Sequence, residues 1–199
     1  KLKIPVLTVW NSHDIIENDN PYYAGRPGLD GERAGNFNIQ NSDLLIIIGA
    51  RMHVRQIGYN FKSFAREAFK VWVEVDEIEL EKNTVKADLK INLDLKEFLP
   101  AFYKKIVSSD KNYNSHSEWV NWGRVRKNKY PVVLKEYWNN KKINPYCFME
   151  KLFENLSENQ IIVTANATAC VTSFQAAYLK KGQRLWSNSG CATMGYDLP

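Results

Sequence analysis

The sequence predicts an α/β fold: an open parallel sheet with helices on both faces, Rossmann-like, followed by a partial second α/β domain. Asp43 to Gly49 encloses an unbroken apolar run without period-2 alternation, which is typical of a parallel strand buried on both faces. Strand and helix patterns alternate twice, over residues 1–107 and again over 144–199. A composition of 44% hydrophobic and 25% charged residues excludes a disordered chain, and no apolar run reaches the roughly 18 residues of a membrane span.

In the first unit, residues 1–107, the sequence predicts the following strands and helices in chain order. Residues 4–9 are β-branched and indicate a strand. Residues 10–31 are rich in Pro and Gly and indicate a long loop of the kind that lines a site, and residues 32–41 fit a short helix. After the strand at 44–48 we expect a helix over 61–69, strands over 71–76 and 89–93, and a helix capped by Asp94 and ending at Ile106.

Residues 108–143 carry the chain's positive charge and predict a basic helical connector. Residues 119–142 hold seven basic residues and one acid, a net +6, whereas the whole chain has +5. Aromatic residues alternate with the basic residues, so a groove that binds nucleic acid is an alternative. The i, i+3, i+7 spacing of Trp119, Trp122 and Arg126 favours a solvated helix that ends near Pro131.

The second unit begins at Asn144-Pro145, an N-cap and first-turn pair for a helix through Leu156 with Phe148, Leu152 and Phe153 inward. A buried strand over 160–164, a helix over 168–179 and a strand over 184–187 follow. The chain then enters a loop of small residues.

Two strand ends are candidate ligand sites, because ligands of open α/β sheets lie at the carboxyl ends of strands. After the first strand come Gly49, Arg51 and Arg55, and Glu74 closes the next. Arginine forks suit phosphate oxygens and a carboxylate suits ribose hydroxyls, but ion pairs of these arginines with Glu74 or Asp76 are an equal alternative.

The second candidate site combines residues 165–168 with residues 188–195, both rich in small residues that let a ligand approach the backbone. Met194 would lie at this ligand edge. The three cysteines and three histidines lack metal-site spacing, so we expect reduced thiols in a cytoplasmic protein and no intrinsic zinc.

Segments along essentially the whole chain resemble the large catalytic subunit of acetolactate synthase and its thiamine-diphosphate-dependent relatives. The most specific are Gly49-Ala50-Arg51 and the run from Thr193-Met194-Gly195 to Leu198-Pro199. The resemblance implies that residues 1–107 are most of the central domain, 108–143 the connector, and 144–199 the start of the diphosphate-binding domain. It puts the Mg²⁺-binding motif after Pro199 and the cofactor-activating glutamate before Lys1, so it implies no catalytic residue and no metal ligand within these 199 residues.

The resemblance also assigns cofactor positions. For thiamine diphosphate they are Asn166, Ala167 and Thr168 near the diphosphate, with Gly190, Ala192 and Met194 around the rings. For FAD, which flavin-containing members bind, or an ADP moiety, they are Thr8, Gly28, Gly49, Ala50, Arg51, Arg55, Glu74 and Asp94. The chain departs from acetolactate synthases at residues 9–12, His53, Asp197 and Ala167-Thr168-Ala169, which stands for Gly-Gln-His.

The implied activity is decarboxylation of a 2-oxo acid followed by carboligation, with thiamine diphosphate and Mg²⁺. The implied partners are a small-molecule 2-oxo acid and further copies in a homodimer or homotetramer, with a regulatory subunit left open and no nucleic acid or membrane. We expect the 199-residue piece to be inactive alone. The alternative is a non-catalytic module that binds an ADP- or FAD-type nucleotide through Gly49, Arg51, Arg55 and Glu74.

Overall fold

Three parallel strands form the first sheet in the computed structural model, which describes residues 1–110 and 116–198. They are β1 (Leu44–Ile48), β2 (Phe69–Glu74) and β3 (Leu89–Asn92), in the order β1-β2-β3. Helices α1 (Arg33–Gln40), α2 (Val54–Ile57), α3 (Glu77–Leu80) and α4 (Leu95–Ser108) precede, connect and follow them. The predicted α/β class with an open parallel sheet is confirmed.

One face of this sheet packs into the main core, around Ile47, Trp72 and Phe64. The expectation that β1 is buried on both faces is wrong, since Leu44 is 51% exposed. Side chains alternate along a strand, and Leu44 lies on the face opposite Ile47. Every residue of α4, all of it within the described part, is at least partly exposed, so this helix gives that face little cover.

Two predicted elements of the first unit do not form. Residues 4–9 make an isolated parallel bridge between Val6 and Tyr23 instead of a strand, because the partner segment leaves extended geometry at Gly25, whose φ is 108°. Residues 61–69 form one 3₁₀ turn, Phe61–Ser63, and the chain then enters β2. Ala65 has a φ of 41°, a left-handed conformation that ends a right-handed helix.

The helix caps are as expected. Asp94 accepts a hydrogen bond from the Lys96 amide at 2.8 Å and starts α4. Asn144 accepts one from the Tyr146 amide at 2.9 Å, with Pro145 in the first turn of α6 (Pro145–Asn155). Each places a side-chain oxygen on an amide that has no partner within its helix.

The connector forms α5 (Ser117–Lys129), followed by a 3₁₀ turn, Lys135–Asn139. Residues 111–115 of the predicted connector lie outside the described part. α5 packs against α1, and Gly123 allows the close approach, since a Cβ there would lie 2.8 Å from Asn38 Oδ1. Two of its bases pack on aromatic rings: the Arg126 guanidinium lies 3.9 Å from the Trp122 ring centroid, and Lys127 Nζ lies 4.3 Å from that of Tyr23.

The second sheet has two parallel strands, β4 (Ile161–Thr164) and β5 (Arg184–Ser187), joined through α7 (Ala167–Ala176). Its core includes Phe153 from α6, but Phe148 is 51% exposed, which corrects the predicted inward face of that helix. β4 is also not buried as predicted, because Ile161 is 70% exposed on the face away from the core. Within the described residues, no helix is long and apolar enough to cross a membrane.

Candidate functional site

The carboxyl edge of the first sheet brings together Gly49, Glu74 and Asp94, as their positions after consecutive parallel strands predict. Gly49 has a φ of 58°, and its amide donates to the Val73 carbonyl at 3.0 Å. Ala50 beside it packs against the core.

Glu74 is the buried carboxylate of this edge. Its Oε1 accepts hydrogen bonds from the amides of Val75 at 3.0 Å and Asp76 at 3.5 Å. Its Oε2 is buried and has no partner among the described residues. A buried acceptor without a donor is unfavourable, so this oxygen fits the hydroxyl or amine of a ligand.

Arg51 forms an ion pair instead of presenting a free fork. Its Nη2 donates to Glu79 Oε1 at 2.5 Å, and Lys82 pairs with the same carboxylate. The hydrogen bond from Arg51 lowers the pKa of Glu79 and raises that of Arg51. Arg51 is therefore ion-paired, as the alternative predicts. Its partner is Glu79 in α3, however, and not Glu74 or Asp76.

Gly28, Arg55 and Thr8 gather around the loop 10–31. Gly28 has a φ of 129°, its amide donates to Asn36 Oδ1 at 2.8 Å, and a Cβ there would lie 2.5 Å from the Arg55 carbonyl oxygen. The Arg55 guanidinium lies 5.8 Å from the Trp10 ring centroid. Thr8 is fully buried. Packing within the chain accounts for the positions of these three residues. Their role in binding a nucleotide remains a prediction.

The carboxyl edge of the second sheet holds the other candidate site. Asn166 is the N-cap position of α7, but its Nδ2 donates across to the Ala192 carbonyl at 2.7 Å. Ala167 and Ala192 have φ values of 50° and 53°, and Thr168 is exposed. One hydrogen bond thus joins the loop after β4 to the loop after β5.

The loop after β5 is open. A second bond, from Asn188 Nδ2 to the Thr193 carbonyl at 2.7 Å, shapes it. A Cβ at Gly190 would meet nothing within 4 Å, and Met194 is 85% exposed. The role of this loop toward a cofactor therefore remains a prediction.

Sequence reasoning missed where the loop 10–31 goes. It was expected to line a site, but its side chains reach into the second unit, where Trp10 stacks on Phe174 with ring centroids 3.9 Å apart. His13 Nε2 donates to the Leu185 carbonyl at 2.7 Å. Burial, followed by the charge of Arg26, lowers the pKa of His13 to about 4.

Asp14 pairs with the same stretch of β5, accepting from the Leu185 amide at 2.9 Å and from Arg184 Nε at 2.8 Å. Burial alone would raise the pKa of Asp14, but the hydrogen bonds from Arg184 and Leu185 outweigh it and lower the pKa. The large apolar side chain of Trp10, beside the polar residues 11–14, was the available sign of these contacts.

Metal-binding chemistry is not assembled here: the described residues contain no group of three or more His, Cys, Asp or Glu side chains placed to hold an ion. The three cysteines are free thiols, of which Cys147 and Cys170 are buried and Cys191 is exposed.

Comparison with known proteins identifies the family of the chain. Residues 1–102 match the family described as thiamine pyrophosphate enzyme, central domain. The whole chain aligns at 32% identity with the acetolactate synthase large subunit of Cyanidium caldarium, covering 33% of that protein. It also aligns at 29% with the probable acetolactate synthase large subunit of Methanococcus aeolicus, over 100% of this chain and 34% of the relative.

At 25% identity, 99% of the chain aligns with the acetolactate synthase isozyme 2 large subunit of Escherichia coli (strain K12), covering 34% of it. The chain therefore spans about a third of the length of the curated relatives it matches. The chain belongs to the thiamine pyrophosphate enzyme family and, within it, resembles the acetolactate synthase large subunit.

Proposed function

We propose that this chain is part of an acetolactate-synthase-like enzyme that decarboxylates a 2-oxo acid and joins the product to an acceptor. In this proposal residues 1–107 are most of the central domain, 108–143 the connector and 144–199 the start of the diphosphate-binding domain. The supporting observation is the hydrogen bond from Asn166 to Ala192, which joins the two strand-end loops that carry the thiamine-diphosphate positions. When bound, thiamine diphosphate with Mg²⁺ supplies the electron sink for loss of CO₂.

The chain's own residues would bind and orient this cofactor. The first amides of α7, including those of Ala167 and Thr168, have no partners within the helix and suit diphosphate oxygens. Gly190 leaves open space beside the backbone, and Met194 offers an apolar surface for a ring. The Mg²⁺ ligands would come from outside the described residues.

A titration calorimetry experiment tests cofactor binding by the 199-residue chain with thiamine diphosphate and Mg²⁺. We expect saturable binding that Asn166→Ala weakens, because the two loops lose their connection. Asn155→Ala is the matched control, since exposed Asn155 also donates to a carbonyl, that of Lys151 at 2.8 Å. Equal affinity in both variants, or no binding by the parent chain, would contradict the proposal.

The resemblance puts the cofactor-activating glutamate before Lys1, so the 199-residue chain alone is expected to lack activity. Release of CO₂ from pyruvate by the purified 199-residue chain would refute this expectation. We also propose that the protein forms a homodimer or homotetramer, since Leu44 and Phe69 expose apolar surface side by side on the first sheet. Whether a regulatory subunit also binds is left open. A cytoplasmic location agrees with the three free thiols.

A second candidate function, nucleotide binding at the first sheet, is favoured by the unpaired Oε2 of Glu74. In this proposal Glu74 accepts from a ribose hydroxyl of FAD or ADP, and Arg51 shares its fork between Glu79 and a phosphate. A flavin absorption band in the purified chain would indicate FAD, whereas ADP binding without flavin would indicate the non-catalytic module. Glu74→Gln should weaken the binding of either ligand. An unchanged affinity would exclude the carboxyl edge of the first sheet as the nucleotide site.

A further inference from the structure

Arg26 is a fully buried arginine on the loop 10–31, a residue type that is rarely buried without partners. The start of α1 holds its backbone, since the Glu32 amide donates to the Arg26 carbonyl at 2.6 Å. Gly31 and Gly35 permit this contact: a Cβ at Gly31 would lie 2.5 Å from the Arg26 oxygen, and one at Gly35 would lie 2.9 Å from its carbonyl carbon. The side chain therefore extends from a fixed point of the first unit.

The guanidinium crosses to the end of α7. Its Nη1 donates to the carbonyls of Phe174 at 2.9 Å and Ala177 at 3.0 Å. Its Nη2 donates to Asn18 Oδ1 at 3.1 Å, and the same oxygen accepts from the Leu179 amide at 3.0 Å. A single side chain thus ties the loop 10–31 to the chain that leaves α7.

The charge of Arg26 is matched on both sides. The Glu32 carboxylate, also buried, lies 3.9 Å from Nη1. The carbonyl end of α7 is its negative end, and α7, described in full, has no basic residue in its own last turn. The positive charge that this helix end favours therefore comes from the first unit.

The other end of α7 carries the candidate cofactor residues Asn166, Ala167 and Thr168. A helix of ten residues is about 15 Å long and rigid, so fixing its last turn sets where its first turn lies. We infer that Arg26 is a positioning residue, which acts through α7 to set the position of the loop after β4, where Asn166 binds the Ala192 carbonyl of the loop after β5. Only the identity of the bound cofactor rests on the proposed function; the mechanical role does not.

Variants of Arg26 separate this role from loss of folding. Arg26→Met alone leaves the buried Glu32 carboxylate without its ion-pair partner, so the test uses Arg26→Met together with Glu32→Gln, which removes both charges of the pair. Arg26→Lys keeps the charge but loses the fork that reaches two carbonyls and Asn18 together. Arg66→Met is the control, because the ion pair of exposed Arg66 among the described residues is with neighbouring Glu67, at 3.5 Å.

The first readout is hydrogen exchange of the backbone amides, measured by mass spectrometry. It is applied to those variants that circular dichroism shows to be folded. In the double variant we expect exchange at Cys170 and Val171, in the first half of α7, to become at least tenfold faster. Amides of β1 and β2 should not change, the Lys variant should be intermediate and Arg66→Met should match the parent. Faster exchange confined to residues 174–179, or none, would show only a local cap and would overturn the inference.

Thiamine diphosphate affinity is the second readout. If the parent chain binds, the double variant should raise Kd at least tenfold, and an unchanged Kd would overturn the positioning role. If the parent chain does not bind, the proposed function fails, and the exchange result decides the role of Arg26 by itself.

Discussion

Acidification should destabilise the fold through His13, which is fully buried between the loop 10–31 and the second unit. Its Nε2 donates to the Leu185 carbonyl, so in the neutral ring Nδ1 carries no proton, and Nδ1 has no partner among the described residues. Protonation would put a second N–H in a site with no acceptor for it and close to the charge of Arg26. The folded state therefore disfavours the charged ring.

The magnitude follows from the pKa of His13, lowered from 6.5 to about 4. Because the unfolded chain takes up this proton near pH 6.5 and the folded chain only near pH 4, the unfolded state binds more protons between these values. The contribution of neutral His13 is fully present above pH 6.5 and is lost as the pH falls toward 4. At about 1.4 kcal/mol per pKa unit, the free energy of unfolding should fall by about 3 kcal/mol across this window.

Urea unfolding at a series of pH values between 7 and 4.5 measures this loss. His13→Gln keeps an N–H donor for the Leu185 carbonyl but does not titrate, so its stability should fall much less over the same range. His53, whose pKa burial also lowers, remains in both proteins and cancels in the comparison. Exposed His116→Gln is the control and should follow the parent. Parallel curves for the parent and His13→Gln would show that His13 does not cause the loss of stability.

Three further predictions concern the second unit. Ala167→Gly should raise the free energy of unfolding by about 0.5 to 1 kcal/mol, because φ is 50° at this position and glycine adopts that conformation without strain. The control Ala176→Gly, at the end of α7, should lower it, and chemical denaturation measures both. Phe174→Ala should lower the free energy of unfolding by about 3 to 5 kcal/mol. A double-mutant cycle with Trp10→Ala should give a coupling energy of about 0.5 to 1.5 kcal/mol, because the two rings stack. If the effects of the two single variants simply add, the stacking interaction is excluded. A thiol reagent should label Cys191 quickly and the other two cysteines only on unfolding, so fast reaction of more than one thiol would contradict the burial.

Local chemistry made part of the fold predictable. Asp94 and Asn144 cap helices through atoms two residues away, and such contacts depend only on nearby sequence. The run 44–48 became a strand because its three consecutive isoleucines are β-branched and favour extended backbone, a preference that depends only on local sequence. The strand-end positions of Gly49 and Glu74 followed from the parallel topology.

Contacts between distant segments were not predictable in this way. Phe148 was assigned inward from helical spacing, but which face of α6 is covered depends on where α7 and β5 pack. Arg51 pairs with Glu79 because α3 turns back toward the Gly49 turn, which no local pattern shows. The bond from Arg26 to Phe174 joins residues 148 apart, so a single sequence gives no indication of it.

Amide spectra of the ¹⁵N-labelled chain, titrated with thiamine diphosphate and Mg²⁺, test whether the cofactor binds at the second sheet. We expect shifts concentrated at Asn166 to Thr168 and at Gly190 to Met194, the two loops joined by the bond from Asn166 to Ala192. Shifts confined to the first sheet around Gly49 and Glu74, or no shifts at saturating cofactor, would contradict this proposal.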